Sequence, residues 1–120
     1  MIIGIGTDLI EIERVAQMMK RHRVLDRVFT KNELLHAKGR ASVLAGDFAA
    51  KEAVSKVFGT GFFGIEPFEI EVLRNEKGAP YIKLFGKAKE MARKMSIKKI
   101  HLSLTNTEYY AQAFAIGEDL

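Results

Sequence analysis

The chain has 120 residues, 48% of them hydrophobic, which suffices for a single domain with one core. It contains no cysteine, so disulfide frameworks and thiolate metal sites are excluded. The formal net charge of +4 favours acidic partners such as nucleotides, nucleic acid or an acidic protein, without choosing among them. The apolar N-terminus is too short for a signal peptide or a membrane span, and we therefore expect a cytoplasmic protein.

The chain opens with a predicted buried strand over residues 1–7, where β-branched residues alternate with glycine. Asp8 follows, either as the N-cap of the next helix or as a functional carboxylate. The next segment is predicted to be a helix with one apolar and one basic face. The apolar face carries Ile12, Val15, Ala16 and Met19, and the basic face carries Arg14, Lys20 and Arg21.

Two further helices follow. Thr30 and Glu33 have the spacing of a capping box, which predicts a helix start. A long alanine-rich helix is predicted over residues 40–58, and Gly46 within it indicates close packing by a neighbour. Asp47 and Lys51 are spaced for a weak helical ion pair.

The long helix places a carboxylate on its apolar side. Leu44, Phe48 and Glu52 stand four residues apart and so share one row. A buried carboxylate needs a positive partner, either Lys56 or a metal ion, unless Glu52 reaches solvent from the edge of the row. The Gly-Thr-Gly loop at residues 59–61 then offers backbone N–H groups to an anion. Together these features suggest a metal ion and a phosphate.

The second half of the chain is dominated by strands. Glu69 and Glu71 alternate with apolar residues, which predicts a half-exposed strand. Further segments are a turn at 75–80, a returning strand at 81–85, a helix at 87–95, and two strands at 100–105 and 110–116. This order predicts an α+β fold in which an antiparallel sheet packs around one long central helix.

Asp8 and Glu52 are the strongest candidates for a shared metal ion. Two carboxylates suit magnesium, which completes its coordination with water and substrate phosphates. The two residues are far apart in the sequence, so their meeting is a prediction about the fold. No Ser-His-Asp or Cys-His arrangement is apparent.

Five blocks resemble the holo-[acyl-carrier-protein] synthases, a family of 4'-phosphopantetheinyl transferases. The most specific are the opening motif that contains Asp8 and the central block Lys51-Glu52-Ala53-Val54-Ser55-Lys56. The other three cover residues 29–33, 75–81 and 101–105. The blocks occur in family order along essentially the whole chain.

The resemblance implies the 4'-phosphopantetheinyl transferase fold and a reaction. The 4'-phosphopantetheine arm of coenzyme A moves to a serine of apo acyl carrier protein, adenosine 3',5'-bisphosphate is released, and magnesium is required. Asp8 and Glu52 match metal ligands, and Lys56 completes the catalytic set. Glu52 is the expected base, directly or through a water. The serine nucleophile belongs to the carrier, which explains why this chain shows none.

The resemblance also assigns binding positions. The positions that match coenzyme A contacts are Lys56, Gly59, Thr60, Gly78, Pro80, Ser103 and Thr105. The positions that match the carrier-binding face are Arg14, Met18 and Arg21. Small members of the family are homotrimers with active sites between subunits. The resemblance implies a role in fatty-acid biosynthesis, and the sequence does not distinguish a carrier of the fatty-acid type from one of the polyketide type.

Two positions depart from the family pattern. Asp47 stands where relatives often carry arginine beside coenzyme A, so a basic contact is not expected there. Asn106 stands where many relatives carry histidine, so proton transfer by this residue is not expected either. Neither change affects Asp8 or Glu52.

Two other functions remain to be weighed. The positive charge would also suit a nucleic-acid-binding module, which requires a basic stripe interleaved with exposed aromatics. The aromatic residues here fall mostly on apolar faces, and Glu69 and Glu71 interrupt the predicted basic surface. A trimeric scaffold without catalysis is the third possibility, and the presence of Asp8 and Glu52 argues against it.

Overall fold

A computed structural model describes all residues from 1 to 120 and contains five helices, one 3-10 turn and five strands. In chain order these are β1 (Ile2–Glu11), α1 (Ile12–Met18), α2 (His22–Val28), α3 (Lys31–Ala37), α4 (Ala41–Val57), the 3-10 turn (Pro67–Glu69), β2 (Ile70–Arg74), β3 (Pro80–Leu84), α5 (Gly86–Lys94), β4 (Lys99–Asn106) and β5 (Tyr110–Glu118). None of the helices combines the length and hydrophobicity needed to cross a bilayer.

The α+β class is confirmed, with the expected antiparallel pairing divided between two sheets. A three-stranded sheet has the order β1-β5-β4, and a separate hairpin joins β2 to β3. α4 is the longest helix, with 17 residues, and its bounds lie within one residue of the predicted ones. It packs against β1 and β5 of the larger sheet, so one face of that sheet is covered.

The close contact between β1 and α4 depends on residues without side chains. A Cβ atom at Gly6 would lie 1.8 Å from the carbonyl oxygen of Ala53, and one at Gly4 would lie 2.4 Å from that of Val57. The facing side of α4 is lined by alanines, including the fully buried Ala49 and Ala53. Small residues on both sides therefore bring the strand backbone onto the helix.

β1 continues four residues beyond its predicted end, and this changes the reading of Asp8. The ladder to β5 extends as far as Glu11, which pairs with Tyr110. α1 then begins at Ile12 with Glu11 as its N-cap. Asp8 is therefore a strand residue and not a helix cap, because pairing with β5 holds the backbone extended past it. Its carboxylate remains available for other partners.

Two buried ion pairs tie α4 to its surroundings. Lys51 is fully buried, with Nζ 2.8 Å from Oε1 of Glu33, and it also donates to the carbonyl of Ile70. Asp47 pairs with Arg74, with Oδ1 to Nη2 at 2.9 Å. The predicted Asp47–Lys51 pair is therefore wrong, because each side chain reaches a different element instead of its helical neighbour.

The predicted capping box at Thr30 is confirmed, and its glutamate does more than cap the helix. The Glu33 carboxylate accepts from the Thr30 amide at 2.8 Å, while the Thr30 hydroxyl accepts from the Glu33 amide. Its other oxygen accepts from the amide of Val72 at 2.8 Å. With Lys51 as counter-ion, Glu33 joins α3, α4 and β2.

Glu69 and Glu71 are buried, so the predicted half-exposed strand is wrong. Glu69 belongs to the 3-10 turn, and its carboxylate accepts from the amide of Lys87 at 2.6 Å in the first turn of α5. Glu71 accepts a hydrogen bond from the Thr30 hydroxyl. Both carboxylates accept hydrogen bonds from other elements of the fold, so neither interrupts a basic surface.

Candidate active site

Asp8 and Lys56 meet where β1 crosses α4. Asp8 lies two residues beyond Gly6, on the strand face that touches the helix. Lys56 Nζ lies 3.3 Å from Oδ1 of Asp8 and donates to the carbonyl oxygen of Thr7 at 2.9 Å. The close packing at Gly6 thus brings together two residues that are 48 positions apart in the sequence.

Glu52 belongs to the same cluster. Burial raises the pKa of the Glu52 carboxyl, and the negative charge of Asp8 raises that pKa further. The positive charges of Lys56 and Arg14 act in the opposite direction. Glu52 is half-buried, so it stands at the edge of the apolar row and not inside the core. Two carboxylates, Asp8 and Glu52, and two cations, Lys56 and Arg14, thus interact electrostatically at the edge of α4.

The two carboxylates have the chemistry of a magnesium site. Asp8 and Glu52 supply hard oxygen ligands, and their mutual repulsion is the kind that a divalent cation relieves. The chain holds no cluster of three or more His, Cys, Asp or Glu side chains suited to a metal ion. These two residues fit such an ion only if water and phosphate oxygens supply the remaining ligands.

The Gly-Thr-Gly loop follows directly after Lys56 and α4. The amide of Gly59 donates to the carbonyl of Lys56 at 3.0 Å. Gly59 and Gly61 have φ values of +79° and +58°, which glycine adopts without strain. Thr60 is exposed. The predicted contacts at Gly59 and Thr60 therefore lie next to Lys56.

Other predicted coenzyme A contacts surround a separate cavity of about 250 Å³. It lies between the N-terminal half of α4, the β2–β3 turn and the end of β4. Gly78, Pro80 and Thr105 line it. Ser103 does not, and its exposed side chain lies on the sheet face away from α4. The structure thus gathers three of these four residues.

The cavity also changes the interpretation of Gly46. A Cβ atom there would have Leu104 Cδ1 as its nearest neighbour, at an ordinary 3.8 Å. The predicted close packing at Gly46 is therefore wrong, because open space borders this glycine.

Two lining residues, Arg74 and Asn106, were not among the predicted contacts. Nothing in the sequence around Asn106 indicated that it would line a binding cavity. Arg74 did offer a signal, because it is a charged residue on the same side of the predicted strand as the apolar Ile70 and Val72.

The predicted carrier-binding residues lie on and just after α1. Arg14 and Arg21 are exposed, and Met18 is half-buried. The charge of Arg14 partly offsets the rise in the pKa of Glu52, which means that Arg14 lies close to the Asp8–Glu52 cluster. A partner bound to α1 would therefore approach the carboxylates.

Comparison with known proteins identifies the family. The family model described as the 4'-phosphopantetheinyl transferase superfamily matches residues 4–115. A holo-[acyl-carrier-protein] synthase from Lachnoclostridium phytofermentans is 46% identical over 98% of this chain and 97% of its own length.

Two solved structures are also similar. The holo-[acyl-carrier-protein] synthase of Neisseria meningitidis has a TM-score of 0.89 at 30% identity, covering 98% of this chain and 99% of that one. The Helicobacter pylori synthase in complex with coenzyme A has a TM-score of 0.86 at 29% identity, covering 95% and 99%. The chain therefore belongs to the 4'-phosphopantetheinyl transferase superfamily and is an enzyme of its holo-[acyl-carrier-protein] synthase family.

Proposed function

We propose that this enzyme transfers 4'-phosphopantetheine from coenzyme A to a serine of apo acyl carrier protein. The serine oxygen attacks the phosphorus that bears the pantetheine arm. The bond from that phosphorus to the bridging pyrophosphate oxygen breaks, and adenosine 3',5'-bisphosphate leaves with the bond electrons. The serine proton passes to a base on the enzyme.

Glu52 is the base in this proposal. Glu52 takes the serine proton directly or through a water. Lys56 is held between Asp8 and the carbonyl of Thr7, where its ammonium group can bind the pyrophosphate. A magnesium ion held by Asp8 and Glu52 would supply charge neutralisation for the phosphates. Transfer of this kind depends mainly on positioning and electrostatics, and these residues supply both.

Coenzyme A is expected to extend from this cluster to the cavity. Gly78, Pro80 and Thr105 there would contact the nucleotide, and Gly59 and Thr60 would lie near its phosphates. Ser103 stays a predicted contact on the outer sheet face. Arg14, Met18 and Arg21 would bind the acidic carrier, and the positive charges of Arg14 and Arg21 would accelerate the encounter. We place the reaction in the cytoplasm, as expected from the short apolar N-terminus.

We also propose a homotrimer with active sites between subunits. One face of the three-stranded sheet packs on α4, while the other exposes large apolar residues. Ile5 is 60% exposed, Leu9 is 62% exposed and Phe114 is 43% exposed. Phe114 pairs with Thr7 and Ser103 across the sheet, so this apolar face also carries a predicted coenzyme A contact. A neighbouring subunit would cover it.

The observation that carries the proposal is the convergence of Asp8, Glu52 and Lys56 at the β1–α4 contact. The test is incubation with coenzyme A, magnesium chloride and apo acyl carrier protein, followed by intact mass measurement of the carrier. We expect the carrier to gain one phosphopantetheine. A carrier of unchanged mass would contradict the proposed reaction.

Asp8→Ala and Glu52→Ala should each lower kcat/KM more than about a hundredfold, since even residues that only support metal ligands contribute 10- to 100-fold. Circular dichroism should show that both variants remain folded. The matched control is Glu90→Ala, which removes an exposed carboxylate from α5. Normal turnover by either site variant in saturating magnesium would refute the metal assignment.

A further inference from the structure

Arg74 and Asp47 form an incomplete ion pair beneath the cavity. Asp47 is fully buried, and its Oδ1 lies 2.9 Å from Nη2 of Arg74. The second hydrogen bond of a bidentate pair is absent, and both Nη1 of Arg74 and Oδ2 of Asp47 are buried without a partner. Leaving a buried donor unpaired costs about 1–3 kcal/mol. A ligand atom that accepts a hydrogen bond from the Arg74 guanidinium would therefore be favoured.

The residues that line the cavity indicate which kind of ligand would fit it. Arg74 is the only charged residue that lines it, and the other polar side chains there are those of Ser42, Thr105 and Asn106. Hydroxyl and amide groups with one guanidinium suit a ligand rich in acceptor oxygens. Gly78, with φ of +84° and no atom within 4 Å of a built Cβ, leaves room beside them.

The surroundings of the cavity are positive. The pKa of His36, at the end of α3, is lowered first by desolvation and then by the charges of Arg74, Arg40 and Lys38. The buried carboxylates of Asp47 and Glu33 oppose these cations, and Lys51, whose Nζ lies 2.8 Å from Oε1 of Glu33, offsets the charge of Glu33. An anion bound at Arg74 would therefore enter a field that already favours negative charge.

We propose that Arg74 is the specificity residue for the terminal phosphate monoester of coenzyme A, the 3'-phosphate of its ribose, and that Asp47 positions its guanidinium. This inference rests on the proposed function. Asp47 precedes Glu52 by five residues of α4, or about 7.5 Å along the helix axis. The pyrophosphate belongs beside Glu52 and Lys56, so the anion at Arg74 is a different phosphate.

The test is calorimetric binding of coenzyme A and dephospho-coenzyme A, which lacks only the 3'-phosphate. Wild-type protein should bind coenzyme A about 10- to 100-fold more tightly, the range expected for a charge-assisted contact. Arg74→Gln should reduce that preference to within about threefold, while Arg93→Gln on α5, the matched control, should leave it unchanged. An unchanged preference in Arg74→Gln, or no preference in wild type, would overturn the inference.

The role of Asp47 is tested by rescue. Asp47→Asn keeps an oxygen that accepts from Arg74 and should retain most of the preference, whereas Asp47→Ala should lose most of it. A merely structural pair would weaken both ligands equally in Asp47→Ala, and that outcome would contradict the positioning role.

His36 supplies a measurement that needs no variant. Coenzyme A should raise the pKa of His36, followed by proton NMR, because the 3'-phosphate offsets the nearby cations, and dephospho-coenzyme A should raise it less. Equal shifts would overturn the inference even if Arg74→Gln fails to fold. Binding does not require turnover, so loss of transfer with an intact preference would refute the proposed reaction alone. Transfer with an unchanged preference in Arg74→Gln would refute only the role of Arg74.

Discussion

At the scale of single residues, the buried charges of α4 differ in how well they are compensated. Lys51 has Glu33 and two backbone carbonyls within hydrogen-bond distance. Asp47 has one hydrogen bond from Arg74 and one unpaired oxygen, and desolvation outweighs the attraction of Arg74 and raises the pKa of Asp47 to about 6. Asp47 is therefore less well compensated in the fold than Lys51.

This raised pKa predicts how stability depends on pH. In the unfolded chain Asp47 ionises near its ordinary value of 3.8, while in the folded protein it keeps its proton up to about pH 6. Between these values the folded state binds the extra proton, so the contribution of Asp47 to the free energy of unfolding falls as pH rises. The fall approaches about 3 kcal/mol and is complete above pH 6 to 7.

Urea unfolding of wild type and Asp47→Asn from pH 4 to pH 7.5 measures this effect. The stability of Asp47→Asn relative to wild type should rise with pH across that window, whatever its offset at pH 4. A difference that stays constant, or that falls, would contradict the raised pKa of Asp47.

At the scale of elements, the contact between β1 and α4 depends on glycine, while the cavity side of α4 does not. Gly6 has the Ala53 carbonyl directly above it, whereas Gly46 has only Leu104 at van der Waals distance. The same substitution should therefore have opposite effects at the two positions.

Gly6→Ala should lower the free energy of unfolding by more than about 3 kcal/mol, the upper end for overpacking, because β1 must move off the helix. Gly46→Ala should raise it by about 1 kcal/mol, the difference between the helix propensities of the two residues. Thermal unfolding of both variants checks the pair. Destabilisation by Gly46→Ala, or tolerance of Gly6→Ala, would contradict the described packing.

The position of α1 beside Glu52 leads to a prediction about the carrier. Arg14→Glu together with Arg21→Glu should weaken binding of apo acyl carrier protein at least about tenfold, with a smaller effect on coenzyme A. Calorimetry with each ligand measures the two effects, and Arg93→Glu together with Lys94→Glu on α5 is the control, because it changes the net charge by the same amount. Equal losses for both ligands would argue against separate carrier and nucleotide surfaces.

At the scale of the whole molecule, the sheet face that points away from α4 exposes large apolar residues that no other part of the chain covers. Phe114 lies near its middle, paired with Thr7 on one side and Ser103 on the other. The face is apolar and open in the single chain, which is typical of a surface that associates.

Phe114→Glu should convert the proposed trimer to monomers, because a charge would be buried at the centre of the interface without a partner. Sedimentation velocity measures the change. Leu35→Glu is the control, since Leu35 is also exposed but lies on α3. A wild-type monomer, or a Phe114→Glu protein that stays trimeric, would contradict this interface. If the sites lie between subunits, transfer activity should fall with the trimer.

The sequence alone determined the class of fold, the order of the elements and the family, because these depend on local periodicity, on the capping box at Thr30 and on short motifs. It also paired Asp8 with Glu52, through the resemblance. Only the tertiary structure decided that Asp8 lies within a strand, that Glu71 is buried, and that Asp47 pairs with Arg74 beside a cavity. Strand pairing, burial and ion pairs join residues distant in the chain, and their energies depend on which elements meet, which no local pattern records.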